Sequence, residues 1–197
     1  MTIARYTLSY TTGAALIPET QLVADLYNKE ANWGRVRSEV MASNLFQART
    51  ESTLKKLYRE ISSRLQTLTD DELGLFADVI ERERQQLVWL AICRRHQLIC
   101  DFAIEVLSIN YNKSQYRLTH DDYDAFYHQK AEWHSNLDTA SSSTQSKARQ
   151  VLFKMLRECG LINELDEIVA QRLSPQLLYL LKEKQSAGLG VFPGVDS

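Results

Sequence analysis

Apolar residues recur at intervals of three and four along most of this chain, the spacing that gathers them on one side of an α-helix. Pro18 suits the first turn of a helix, where its missing N–H costs nothing, and Glu19 suits the positive end of the helix dipole. They open a helix to about Lys29 with Leu22, Val23, Leu26 and Tyr27 on one stripe. After a break at residues 30–32, Trp33, Val36, Val40, Leu45 and Phe46 anchor a second helix. Thr50 or Ser52 caps a third, whose Leu54, Leu57, Tyr58, Ile61, Leu65 and Leu68 give the clearest period in the sequence. Thr69 and Glu72 form a capping-box pattern, the threonine accepting from the N3 amide while the glutamate reaches back to the cap. It begins a long helical region over residues 70–110, with a break expected at 82–85, where polar residues cluster. Residues 87–107 are apolar on several faces, which predicts the centre of the core.

Residues 110–118 read as a loop, after which Thr119 caps a helix carrying Tyr123, Phe126, Tyr127 and Trp133. A serine-rich break at 141–144 precedes another helix that ends at Gly160, a left-handed C′ residue. Residues 161–172 stay ambiguous: 167–172 read as a short strand or a further helical turn, with a minor wing near 165–172 as one outcome. Ser174 and Pro175 start a last helix to about Lys184. The glycines and prolines near the end predict a loose tail over 186–197. The pattern predicts an all-α, compact multi-helix protein in three parts, residues 1–68, 69–136 and 137–185, without a repeat at fixed period.

Composition narrows the class. Seven Gly and three Pro in 197 residues are too few for a sandwich or barrel, which needs a turn signal every 8–12 residues. The longest strongly apolar run, residues 87–93, falls far short of the roughly 20 residues of a spanning helix. The N-terminal stretch lacks the basic region and apolar core of a secretory signal, and the three cysteines form no CxxC, so a cytoplasmic, membrane-free protein is expected. The net charge of −2 argues against coating nucleic acid through overall charge. Its distribution is uneven: residues 1–67 carry nine basic and six acidic side chains, residues 68–110 four and eight, and residues 139–157 four basic and none acidic.

Candidate chemistry is sparse. Cys93, His96 and Cys100 fall at i, i+3 and i+7, as metal ligands on one helical face would, but core thiols beside a half-buried histidine are the better account. Asp124 and His128, at i and i+4 in a dense titratable cluster, read as helix-start chemistry before they read as a catalytic metal site. No phosphate loop, GxGxxG, GxSxG or HExxH occurs, so no enzyme, cofactor or metal is expected. The basic helices say more. Ser52, Lys56 and Arg59 lie opposite the apolar stripe of the third helix, with Lys55 alongside, Arg49 before it, and Arg35 and Arg37 on the preceding helix. Helix, turn, basic helix is the order of a helix-turn-helix unit. Thr144, Lys147, Arg149, Gln150, Lys154 and Arg157 repeat that logic on the helix that ends at Gly160. These thirteen residues are the candidate contacts to double-stranded DNA, although a solvated helix surface or the acidic face of another protein would suit the same pattern.

The blocks Tyr6-Thr-Leu-Ser9, Trp33-Gly-Arg-Val36 and Asn44-Leu-Phe-Gln47 open a resemblance. Arg59-Glu-Ile61, Leu87-Val-Trp-Leu-Ala-Ile-Cys-Arg94, Asp101-Phe-Ala-Ile-Glu-Val-Leu107 and Leu156-Arg-Glu158 continue it. Over about residues 5–182 the chain resembles the BrxA family of BREX phage-defence systems. The resemblance implies a small all-helical, non-enzymatic, DNA-binding accessory, expected to be a monomer. The family is also similar to RNA-binding antitermination factors, and a second reading has the basic faces dock acidic surfaces of other BREX components such as a methyltransferase or an ATPase. The resemblance supplies no catalytic residue to carry over, and the DNA-contact set rests on the helical faces alone.

Overall fold

Several helices start where a side chain satisfies a free amide. The computed structural model describes residues 6–11, 13–183 and 188–195. Helix α1 (Ile17–Glu30) has Pro18 in its first turn. Asn32 caps α2 (Trp33–Ser43) by accepting from the Arg35 amide at 3.1 Å, and Thr50 caps α3 (Glu51–Leu65) from the Thr53 amide at 3.2 Å. Before α4 (Asp70–Leu75) the capping box forms in both directions, Glu72 N to Thr69 Oγ1 at 3.3 Å and Thr69 N to Glu72 Oε2 at 2.8 Å.

The long central region breaks twice, and not at residues 82–85. The chain leaves helix after α4 and re-enters as α5 (Glu81–Arg95), whose first turns contain those polar residues. Glu83 accepts from the Ile80 amide at 3.2 Å, so the polar cluster marks the start of a helix and not an interruption. The second break is the extended His96, beyond which α6 (Gln97–Phe102), a π-helical stretch (Ala103–Ser108) and α7 (Ile109–Asn112) run on end to end. His96 therefore ends the helical register that would have aligned it with Cys93 and Cys100. Thr119 and Asp122 box the start of α8 (His120–Ala131), followed by the short α9 (Ser135–Asp138). Trp133 is not an anchor of α8: it lies past the last turn and is 78% exposed.

Ser141 caps α10 (Ser142–Glu158), and Gly160 follows in the left-handed region at φ 69°. The ambiguous stretch beyond it is extended and is neither a helical turn nor a regular strand. Residues 161–163 and 166–169 fold back on each other, and residues 116–118 pair with the outer arm. Ile168 N donates to Tyr116 O at 2.7 Å, Leu118 N to Asp166 O at 2.8 Å, and Val169 N to Leu161 O at 2.8 Å. The last helix is α11 (Pro175–Glu183). Residues 188–195 beyond it are not a loose tail: Val191 and Phe192 are buried. Trp89 Nε1 donates to Val191 O at 2.9 Å, Ser108 Oγ to Gly190 O at 2.8 Å, and the Gln171 amide to Pro193 O at 2.8 Å. Gly and Pro there allow a close path over α5 and the π-helical stretch; residues 186, 187, 196 and 197 lie outside the described residues.

The core is one hydrophobic cluster with α5 at its centre, where residues 87–93 are all buried. Full burial of side chains of this size stabilises by about 1.5–3 kcal/mol each. Charge enters it at two places. Arg94 pairs with Glu72 through both oxygens, at 2.6 and 2.9 Å. Glu60 Oε1 accepts from Arg64 Nε at 2.9 Å and from His96 Nε2 at 2.8 Å, while Arg64 Nη1 donates to the Ala14 and Ala15 carbonyls at 3.0 and 3.1 Å.

Candidate nucleic-acid interface

Helices α2 and α3 are joined by residues 44–50, a connection longer than the three or four residues of a typical helix-turn-helix turn. Asn44 orders it. Its backbone is left-handed (φ 46°), its Nδ2 donates to Ala48 O, and its Oδ1 accepts from Ala48 N, both at 3.0 Å. Tyr58 Oη donates to Trp33 O at 3.1 Å and fixes the crossing of the helices; Trp33 in turn stacks on Tyr27 of α1 at 4.2 Å. The cradle between α2 and α3 is a cavity of about 530 Å³ lined by Arg37, Ser52, Lys55, Lys56 and Arg59 together with Met41, Glu51 and Tyr58.

All seven candidates of this face are exposed: Arg35, Arg37, Arg49, Ser52, Lys55, Lys56 and Arg59. Lys55 is held at 2.5 Å by Glu51, whose carboxyl that bond keeps below its ordinary range, and Arg35 sits 3.7 Å from Glu30. Arg37, Arg49, Lys56 and Arg59 have no ion pair among the described residues. Residues 33–59 carry six basic and two acidic side chains, a net +4.

The α10 face has a different electrostatic character. Thr144, Lys147, Gln150, Lys154 and Arg157 are exposed and Arg149 is half-buried. Arg149 pairs with Asp124 of α8, Arg157 with Asp166 at 2.5 Å, and Lys154 with Glu158 at 3.7 Å. Thr144 is taken up by the helix cap, its amide donating to Ser141 Oγ at 3.2 Å. Lys147 alone among these cations has no ion pair with a described residue, and it lines a cleft of about 930 Å³ that also holds Glu19, Glu81 and Glu158. The two faces share one anchor: the Ala15 amide donates to Glu158 Oε2 of α10 at 2.7 Å, beside the Arg64 bonds from α3.

The other candidate clusters come apart in three dimensions. Cys93, Cys100 and Cys159 are buried free thiols, and burial pushes the Cys93 thiol well up and the Cys100 thiol to about 11. The His120 ring packs on Phe153, and Asp124 is engaged by Arg149. Among the described residues no group of three His, Cys, Asp or Glu side chains is placed to hold a metal ion. Sequence reasoning missed the acids that face α10, because Asp124 and Asp166 reach it from other segments. It also missed the exposed Trp133 and Leu165, whose exposure has no local signal.

A family model described as BrxA matches residues 4–185. The chain is 27% identical over 174 residues to the BREX protein BrxA of Escherichia coli O9:H4 (strain HS), covering 88% of this chain and 79% of that protein. It is 25% identical over 145 residues to the BREX protein BrxA of Bacillus cereus (strain H3081.97), covering 74% and 72%. The fold matches the crystal structure of an uncharacterized protein from Magnetospirillum magneticum with a TM-score of 0.82, at 19% identity, over 96% of this chain and 99% of that one.

Proposed function

Because this chain belongs to the BrxA family, we propose that it is a non-enzymatic component of a BREX phage-defence system that binds double-stranded DNA, with α3 as the helix presented to the duplex. One observation carries this reading: Arg37, Arg49, Lys56 and Arg59 are exposed, free of carboxylate partners among the described residues, and gathered on two helices and their connection, a frame held by Tyr58 and Asn44. Unpaired cations on a fixed frame release counterions from a phosphate backbone without first breaking an ion pair. Ser52 on the first turn of α3 would probe base edges between these phosphate contacts, and Lys55 joins them only on leaving Glu51. The α10 residues play the smaller part, since Arg149, Lys154 and Arg157 would have to leave carboxylates to meet phosphates.

A mobility-shift titration of a duplex across several salt concentrations tests the proposal. Four phosphate contacts give a slope of log affinity against log salt of roughly −3.6, at about 0.9 per contact. Lys56→Glu with Arg59→Glu should roughly halve that slope and weaken binding at least about tenfold at low salt. Binding indifferent to salt, or equal in the double variant, would refute it. Duplex RNA as competitor separates the RNA-binding alternative.

A further inference from the structure

We infer that the Glu51–Lys55 ion pair is a base reader, which gives the α2–α3 face a preference for duplex DNA with a G·C pair under the start of α3. This inference deepens the duplex-binding reading and rests on it. Glu51 is the one acid among the described residues that line the cradle, alongside Arg37, Lys55, Lys56 and Arg59. A face that met only phosphates would gain nothing from a carboxylate, which a polyanion repels. The pair is open to a ligand, since the side chains of Glu51 and Lys55 are 75% and 54% exposed. At about 100° of rotation per residue, both fall between Tyr58, which bonds α2, and the outer stripe of Ser52, Lys56 and Arg59. Cations without an ion pair among the described residues therefore flank it: Arg37 on the α2 side, Lys56 and Arg59 on the other. Flanking cations of this kind hold the phosphates, and the group between them faces the base edges.

The donors and acceptors of the pair match one kind of base pair. Lys55 Nζ meets Glu51 Oε1 at 2.5 Å, which occupies one of its three N–H groups and one of the two carboxylate oxygens. The remaining N–H groups suit guanine O6 and N7, adjacent acceptors in the major groove, and Oε2 suits the cytosine N4 amino group beside them. Lys55 therefore need not leave Glu51 to read a base, as it must to meet a phosphate. An A·T pair sets its amino group between two acceptors and adds the thymine methyl, so no two acceptors adjoin for the lysine.

The test uses the full chain to select from a pool of random duplexes, and then titrates the selected site. The selected duplexes should share a G·C pair in one orientation, and its replacement by A·T should weaken binding about five- to a hundredfold. Glu51→Gln removes the charge and keeps the shape. It should bind random duplex about two- to fivefold more tightly, while discrimination at the shared pair falls to within about twofold. Lys55→Met should lose the same discrimination with no gain in affinity. Glu51 and Lys55 are exposed, so wild-type urea midpoints are expected, which separates reading from folding. The inference is overturned if Glu51→Gln keeps the preference. Salt-dependent binding without a shared base pair would sink it and leave the duplex-binding reading standing, whereas failure to bind any duplex would sink both.

Discussion

Glu60, Arg64 and His96 meet in the buried space behind α3, and their protonation states follow from who faces whom. Burial pushes the His96 imidazole down, and this outweighs the upward pull of its bond to Glu60, so the folded protein keeps the ring neutral. Nε2–H then serves Glu60, and the Nδ1 left without a partner is a bare lone pair, which costs less to bury than an orphaned N–H. Burial raises the Glu60 carboxyl, but the bonds from His96 and Arg64 win and hold it below its ordinary value. The unfolded chain takes up a proton on His96 at about pH 6.5 and the folded one does so only at lower pH. Stability is therefore full above that value and declines as pH falls from there toward the folded pKa. Urea midpoints measured from pH 7.5 to 5 should show this decline, and His96→Gln, which keeps a donor for Glu60, should flatten it. A second loss below about pH 4.5, from Glu60 and Glu72, should survive in both proteins. Residue-scale reading of the sequence succeeded at Thr50, Thr69 and Thr119, because a cap and the amide that donates to it lie within three positions. It failed at His96, whose partner is 36 residues away.

The helices themselves were legible wherever an apolar stripe ran for three turns or more, as on α3 and α10. The short elements were not. The break at His96 interrupts a run that is apolar on all sides, so no change of period announces it. The hairpin arms at 161–163 and 166–169 are too short to show alternation. Element geometry also sets how well the α2–α3 face is held. Asn44 combines a left-handed backbone with two side-chain bonds to Ala48; alanine cannot make the bonds and adopts that backbone only at a cost. Asn44→Ala should lower stability by about 1–2 kcal/mol in chemical denaturation. It should also weaken duplex binding more than Asn163→Ala, which loosens the other end. Equal effects on binding would mean that the frame of α2 and α3 does not govern the contact.

Over the whole molecule, the chain segment at residues 6–15 does more joining than its position suggests. Tyr6 Oη bonds Asp101 of α6, the Tyr6 carbonyl accepts from Asn136 of α9 at 2.5 Å, and Tyr10 Oη meets Tyr123 Oη of α8 at 3.3 Å. Ala14 and Ala15 then engage Arg64 of α3 and Glu158 of α10. Removing residues 1–15 strips two carbonyls from the buried Arg64 and leaves the Tyr123 hydroxyl without its mate. Arg64 keeps Glu60, so a loss of about 1.5–3 kcal/mol for each lost hydrogen bond to its guanidinium is expected, read as a lowered urea midpoint. An unchanged midpoint would show that the segment is ornamental. The all-helical class was legible from composition and period together. Which charges face one another was not, because Asp124 and Asp166 reach α10 only through the tertiary fold.

The strap has a consequence for synthesis. Its partners lie 95 to 143 positions further along the polypeptide for α6, α8, α9 and α10. The first helices can form as soon as they leave the ribosome, but their seam stays open until Glu158 has emerged. Tyr6 and Tyr10 therefore stay unsheltered on the nascent chain until Asp101, Tyr123 and Asn136 have been made.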